Sequence, residues 1–334
     1  RLYLEMPGTD PEIASLVHVD DTGVVNGFIG VTALNMRHGD RTLRAAICGS
    51  LMSRDRDRDP MVGARLLKAF LAGPQDLSFS ETASEVSARM WTGLRGIALP
   101  PYSLDWFRVI RPAGFVVDAA RSRLGAARHL APLARGLDRL SSRRSAGQED
   151  GPRWFSASSA AALPGGLAVT EIDRAAFADL VEPLTQHFAL RPAWADGQLD
   201  AILADAESKP AIGAPVFARV ETAKGVPVGA FAYHLTPGRI GRTLQILARP
   251  GQAGPVIDAL VADAASRGAA GLRGRTQPAL LEAMLGRRIS FIHLDSTVVH
   301  SRDLEIVRIC REGGAFLNGI AGEHWSRLLG GGLD

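Results

Sequence analysis

The residues best placed to do chemistry fall in one stretch, Leu51-Met52-Ser53-Arg54-Asp55-Arg56-Asp57-Arg58-Asp59-Pro60-Met61-Val62-Gly63-Ala64-Arg65-Leu66-Leu67. A strand ends there, a tight charged turn follows, and a helix begins near Val62. A helix start exposes unpaired backbone N–H groups and the positive end of the helix dipole. That geometry holds phosphate. Gly63 lets the backbone come close to a ligand, and Arg58 adds a charge at the mouth of the loop. The chemistry implied is capture of a phosphorylated ligand.

The elements around this stretch repeat. Ser15 to Asp20, Val24 to Met36 and Arg41 to Met52 read as three strands joined by the turns Asp21-Thr22-Gly23 and His38-Gly39-Asp40. The helix after the loop buries Val62, Leu66, Leu67, Phe70 and Leu71 on one face. A short strand over Leu77 to Ser80, a helix from about Thr82 to Leu94 and a strand over Trp106 to Ile110 follow. Further on, Glu171 to Phe188 and Gly197 to Ala206 read as helices. Strands over Val216 to Glu221, Val226 to Leu235 and Arg242 to Arg249 then repeat the order. A helix from Pro255, a strand over Leu272 to Arg275, a helix over Pro278 to Leu285 and strands over Phe291 to His300 and Leu304 to Ile309 complete the second copy. The repeat is one of pattern, not of residues. The expected division is 1–112, a linker over 113–165, and 166–334. Ala119 to Leu140 reads as a helix split by Pro132. Limited proteolysis is expected to cut first between Ser141 and Pro152, where polar residues cluster; early cutting inside 40–100 would mean that the boundary lies elsewhere.

The stretch from Leu51 to Leu67 resembles the acyl-CoA loop of the GCN5-related N-acetyltransferase (GNAT) superfamily. Arg58 falls in that loop's Arg/Gln slot, Gly63 in its last glycine slot and Leu66-Leu67 in its aliphatic pair, while Met61 takes the place of the middle glycine. Gly27-Phe28-Ile29-Gly30-Val31 resembles the family's third strand. The resemblance implies a tandem chain of α/β (α+β) class with two GNAT-like domains. Each would hold a central mixed, mostly antiparallel twisted sheet flanked by helices. It also implies acetyl-CoA or another acyl-CoA as co-substrate, held by Leu51, Met52, Ser53, Arg58, Met61, Val62, Gly63 and Ala64. The second copy, from Ile246 to Pro255, has a shorter loop with no arginine between Pro250 and its helix, and Pro255 removes an amide. It reads as a diverged domain.

Chemistry of this kind is attack of an amine on a thioester, helped by a base and by a backbone amide that polarises the thioester oxygen. Glu81 is the candidate base and Tyr102 the candidate acid. The family often has an Asn and a Tyr in the helix after the splayed strand, and neither is present over Ser80-Glu81-Thr82-Ala83 or Met90-Trp91. Cys48 and Ser50 lie on the strand before the loop and read as small core residues. His234 and His300 read as structural histidines, and Glu323-His324-Trp325 as a polar closing segment without an assigned role. The expected acceptor is a small-molecule amine. A catalytically silent acyl-CoA sensor or scaffold and a Fem-like aminoacyl transferase are the competing readings. The scattered arginines form no dense basic stripe, which argues against the second.

Composition is ordinary for a folded chain. Of 334 residues, 46% are hydrophobic and 22% charged, and the net charge of +3 rests almost wholly on arginine. This gives no case for a nucleic-acid partner. No apolar run is long enough to span a bilayer, and the first residues lack the layout of a signal peptide. The two cysteines, Cys48 and Cys310, read as reduced thiols, and no ligand spacing points to a metal. A cytoplasmic monomer or homodimer is the expectation.

Overall fold

The computed structural model describes residues 5–54, 59–121 and 165–327. Arg58, most of the helix read over Ala119 to Leu140 and the linker over Ser141 to Pro152 lie outside them. The described residues gather into two compact units. The first comprises Arg1–Leu104, Phe188–Leu203 and His293–Ser326, and the second Asp105–His187, Ala204–Ile292 and Arg327–Asp334.

In the first unit, strands β1 (Leu16–Val19), β2 (Val25–His38) and β3 (Arg41–Ser53) form an antiparallel meander. Helix α1 (Val62–Leu71) crosses over to β4 (Leu77–Ala83), which lies parallel to β3. Helix α2 (Glu85–Gly93) and the short β5 (Ile97–Ala98) follow. The helix α1 buries Val62, Leu66, Leu67, Phe70 and Leu71, the stripe expected from its spacing. Each such side chain contributes about 1.5–3 kcal/mol when removed from water. Its first turn packs against Gly27, where an added Cβ would collide with Val62 and Leu66.

The second unit repeats this order. Its sheet runs β7 (Leu167–Ile172), β9 (Ala214–Thr222), β10 (Pro227–Leu235), β11 (Ile240–Ala248) and β12 (Gly271–Arg275), then β6 (Leu104–Val109) and β13 (Ile289–His293). Helix α3 (Pro112–Arg121) follows β6 and helix α4 (Arg174–Thr185) follows β7. The next strand in the chain, β8 (Leu190–Pro192), belongs to the first unit's sheet, and helix α5 (Gln198–Glu207) follows it. Helix α6 (Ala253–Ser266) takes the place of α1, and α7 (Pro278–Met284) follows β12. Gly229 repeats the role of Gly27: a Cβ there would collide with Val256 of α6.

One first-half strand joins the second sheet and two second-half strands join the first; β8 is one of these and pairs antiparallel with β2. The first-half strand β6 pairs with β12, and the second-half strand β14 (Ser296–Ser301) inserts between β4 and β5. The sheets therefore do not follow chain order.

Four sequence readings change. Leu304 to Ile309 is not a strand but part of helix α8 (Leu304–Arg311). Ile306 and Val307 favour a strand locally, yet Ile306, Ile309 and Cys310 bury one helical face, and the Asp303 carboxylate accepts from the Glu305 amide at its start. Phe291 to His300 is two strands in different sheets. The helix read from Glu171 starts only at Arg174, capped by Asp173, after strand β7. The helix read from Thr82 starts at Glu85, capped by Ser84, because β4 continues to Ala83.

Candidate functional site

Strands β3 and β4 pair over only three positions, Ala45↔Leu77, Ala46↔Ser78 and Ile47↔Phe79. Their outer halves, 48–53 and 80–83, do not pair with each other. At the fork β3 carries a bulge. Gly30 faces Ser50 and Val31 faces Cys48, so Gly49 is the extra residue. A bulge turns the strand and re-aims its amides. The wedge so formed opens toward the loop before α1.

That helix starts without a side-chain cap and without an acid in its first turn. The amides of Gly63 and Ala64 have no acceptor among the described residues. A Cβ on Gly63 would meet only the Met90 side chain at 3.7–3.8 Å, an ordinary contact, so packing does not demand the glycine. Met61 has a right-handed backbone and a side chain that is 54% exposed, so losing the glycine there strains nothing. Met52, at the outer end of β3, is 45% exposed. Together they place two apolar side chains at the mouth of the wedge. Among the described residues Asp59 is the one acid at this end: its carboxylate accepts from the Met61 amide at 3.1 Å and from Arg65 at 2.6 Å. Arg65 first, and the Met61 amide after it, hold that carboxyl below its usual range.

The proposed base and acid sit elsewhere in this unit. Glu81 lies on β4, not after it, and is fully buried. Its Oε1 accepts from Asn318 Nδ2 at 3.2 Å and from the Gly319 amide at 3.1 Å, and its Oε2 from the His324 amide at 3.1 Å. Glu323 answers it. One of its oxygens accepts from the Ser80 hydroxyl, the Glu81 amide, the Thr82 amide and the Thr82 hydroxyl, at 2.6–3.0 Å. The end of β4 and residues 318–324 are thus clamped by two reciprocal carboxylates. Tyr102 is also buried, and its hydroxyl donates to the Ala315 carbonyl and accepts from the Ala315 amide. Burial, with Cys310 close by, pushes that phenol well above its ordinary range. Glu323 was visible in the sequence only as part of a polar closing segment. Gly49 carried no signal, because one glycine in a strand does not announce a bulge.

No family model matches the chain, and no curated protein matches it. Solved structures do. A GCN5-related N-acetyltransferase from Anabaena variabilis ATCC 29413 aligns over 87% of this chain and 63% of its own, at 10% identity and a TM-score of 0.53. A conserved protein of unknown function from Enterococcus faecalis V583, described as a probable N-acyltransferase, aligns over 87% and 62%, at 10% identity and a TM-score of 0.54. The chain has the GCN5-related N-acetyltransferase fold. It spans just over three-fifths of the length of these two structures.

Within this acetyltransferase fold the second unit keeps the wedge. Strands β11 and β12 also pair over three positions, and β11 carries a bulge at Leu244. Its loop differs in detail. No arginine stands between Pro250 and α6 in sequence, yet Arg287, after α7, lays its guanidinium against Gly254 in the first turn of that helix. Asp258 binds the same guanidinium at 2.9 and 3.2 Å. Cys48 and Cys310 are both buried and not joined in a disulfide. Among the described residues no helix is long and apolar enough to cross a membrane.

Proposed function

We propose that the chain is an acyl-CoA-dependent N-acyltransferase that moves an acyl group, in the first instance acetyl, to the amine of a small molecule. The observation that carries this is the uncapped start of α1 beside the wedge of β3 and β4, with a glycine at position 63 that packing does not require. Leu51, Met52 and Ser53 would line the donor's arm, and Met61, Val62, Gly63, Ala64 and Arg58 would hold its phosphates. The bound thioester would supply an activated acyl carbon. The chain's own amides past the Gly49 bulge supply donors for the developing negative charge. The dipole and free N–H groups of α1 supply the anion site.

Glu81 and Tyr102 serve in this reading as clamps on residues 315–324 rather than as groups that meet substrate, because both are buried and bonded within the protein, to backbone groups of Ala315, Gly319 and His324 and to the Asn318 side chain. The same fact favours one second reading, an acyl-CoA binder without turnover. Turnover of acetyl-CoA with a panel of primary amines separates the two.

Acetyl-CoA or a longer acyl-CoA should raise the melting temperature by mass action. In calorimetric titrations Arg58→Ala should weaken CoA binding by about 1.5–3 kcal/mol, the worth of a hydrogen bond to a charged group. Gly63→Val should weaken it more, since the branched side chain blocks the amides. Changes at Gln252 or Gly254 should do little. Loss of binding in the Gln252 or Gly254 variants with binding retained in Arg58→Ala would move the donor to the second unit.

A further inference from the structure

Strands β11 and β12 end their parallel pairing at Arg242↔Arg273. Register partners on neighbouring strands project from the same face, with the strands about 4.8 Å apart. Two arginine stems therefore run side by side at the fork of the second sheet. Neither has an ion pair or a hydrogen bond among the described residues.

Among the described residues, the surroundings do not neutralise them. Asp118 of α3 is the acid close to Arg242, and both its oxygens are taken, by Arg239 Nε at 2.8 Å and by the Ile240 amide at 2.9 Å. On β10 the register partner of Arg242 is His234, whose Nε2 donates to the Ala206 carbonyl at 2.8 Å. Lys209, near that histidine, is paired with Asp205 at 2.6 Å. On β6 the register partner of Arg273 is Phe107, stacked on Phe115 of α3 at 5.9 Å. Gly271, two residues before Arg273, lies directly under Phe115. The arginine pair thus has an apolar wall on one side and a neutral histidine on the other. Burial first, and Arg273 second, bring Arg242 down to about 10. Both arginines are half-buried, and holding two like charges together at such a site is unfavourable unless an anion joins them.

We propose that the second unit carries an oxyanion site formed by Arg242 and Arg273, which takes the phosphate or carboxylate group of a small ligand. Two adjacent guanidinium forks match the oxygens of either group. The site is separate from the acyl-donor reading and uses none of its residues.

The test is calorimetric titration of the full chain with inorganic phosphate and, separately, with malonate, at constant ionic strength set by sodium chloride. Saturable binding of one of them is expected, and which one tells phosphate from carboxylate. Arg242→Met and Arg273→Met keep much of each stem and should weaken that binding at least tenfold. Arg242→Lys keeps the charge without the fork and should fall between. Gly63→Val should leave it unchanged. Absence of saturable binding for both anions at millimolar concentration overturns the proposal, as does equal binding in the wild type and folded methionine variants.

Discussion

Glu323→Ala should destabilise the chain by about 3–5 kcal/mol, among the largest effects expected of one substitution. The reason is the number of donors left behind. One oxygen of Glu323 accepts from two hydroxyls and two consecutive backbone amides. A buried donor without a partner costs about 1–3 kcal/mol. Water entering the space left by the side chain recovers part of this, which keeps the total below a simple sum. Glu81→Ala should act in the same direction, because it strips acceptors from Asn318, Gly319 and His324. Urea midpoints at constant slope measure both. A change under about 1 kcal/mol for Glu323→Ala would mean that the clamp contributes little. Glu81→Gln carries the functional half of the test. If Glu81 is a base, it loses turnover while keeping stability. If Glu81 is a clamp, any loss of turnover follows the loss of stability.

The strands and helices that build the wedge were legible because each follows a local rule. The stripe Val62, Leu66, Leu67, Phe70 and Leu71 has helical spacing. The β2–β3 hairpin is bounded by His38-Gly39-Asp40, a sequence that turns. The doubled order of elements was legible for the same reason. What escaped was whatever depends on distant pairing. Trp106 sits in a good strand sequence, but nothing local says that this strand joins β12 instead of the first sheet. Residues 304–309 favour a strand by composition, and tertiary burial of Ile306, Ile309 and Cys310 selects the helix. In the site, Gly63 could be named from its place in the loop. Glu323 stands 242 positions from Glu81 and is tied to it only by the fold. The arrival of Arg287 over Gly254 is of the same kind.

Acidification from about pH 7 to about pH 4 should remove about 3 kcal/mol of stability through His234 alone. This histidine is 2% exposed, and its Nε2 donates to the Ala206 carbonyl. Its Nδ1 is buried with no partner among the described residues. A proton added to Nδ1 would find no acceptor among the described residues. Burial first, opposed by the Ala206 hydrogen bond and aided by the nearby Lys209, lowers the group from 6.5 to about 4. Because the folded value lies below the unfolded one, the unfolded chain binds the proton first as the pH falls. The contribution is therefore complete above about 6.5, declines through the window between the two values, and is gone below about 4. Other carboxylates titrate in the same range, so the informative quantity is a difference. His234→Gln keeps a donor for Ala206 and cannot titrate. The gap in urea midpoint between wild type and this variant should shift against the wild type as the pH falls from 6.5 toward 4. A gap that stays constant across that window would mean that His234 reaches water or an acceptor in the folded chain.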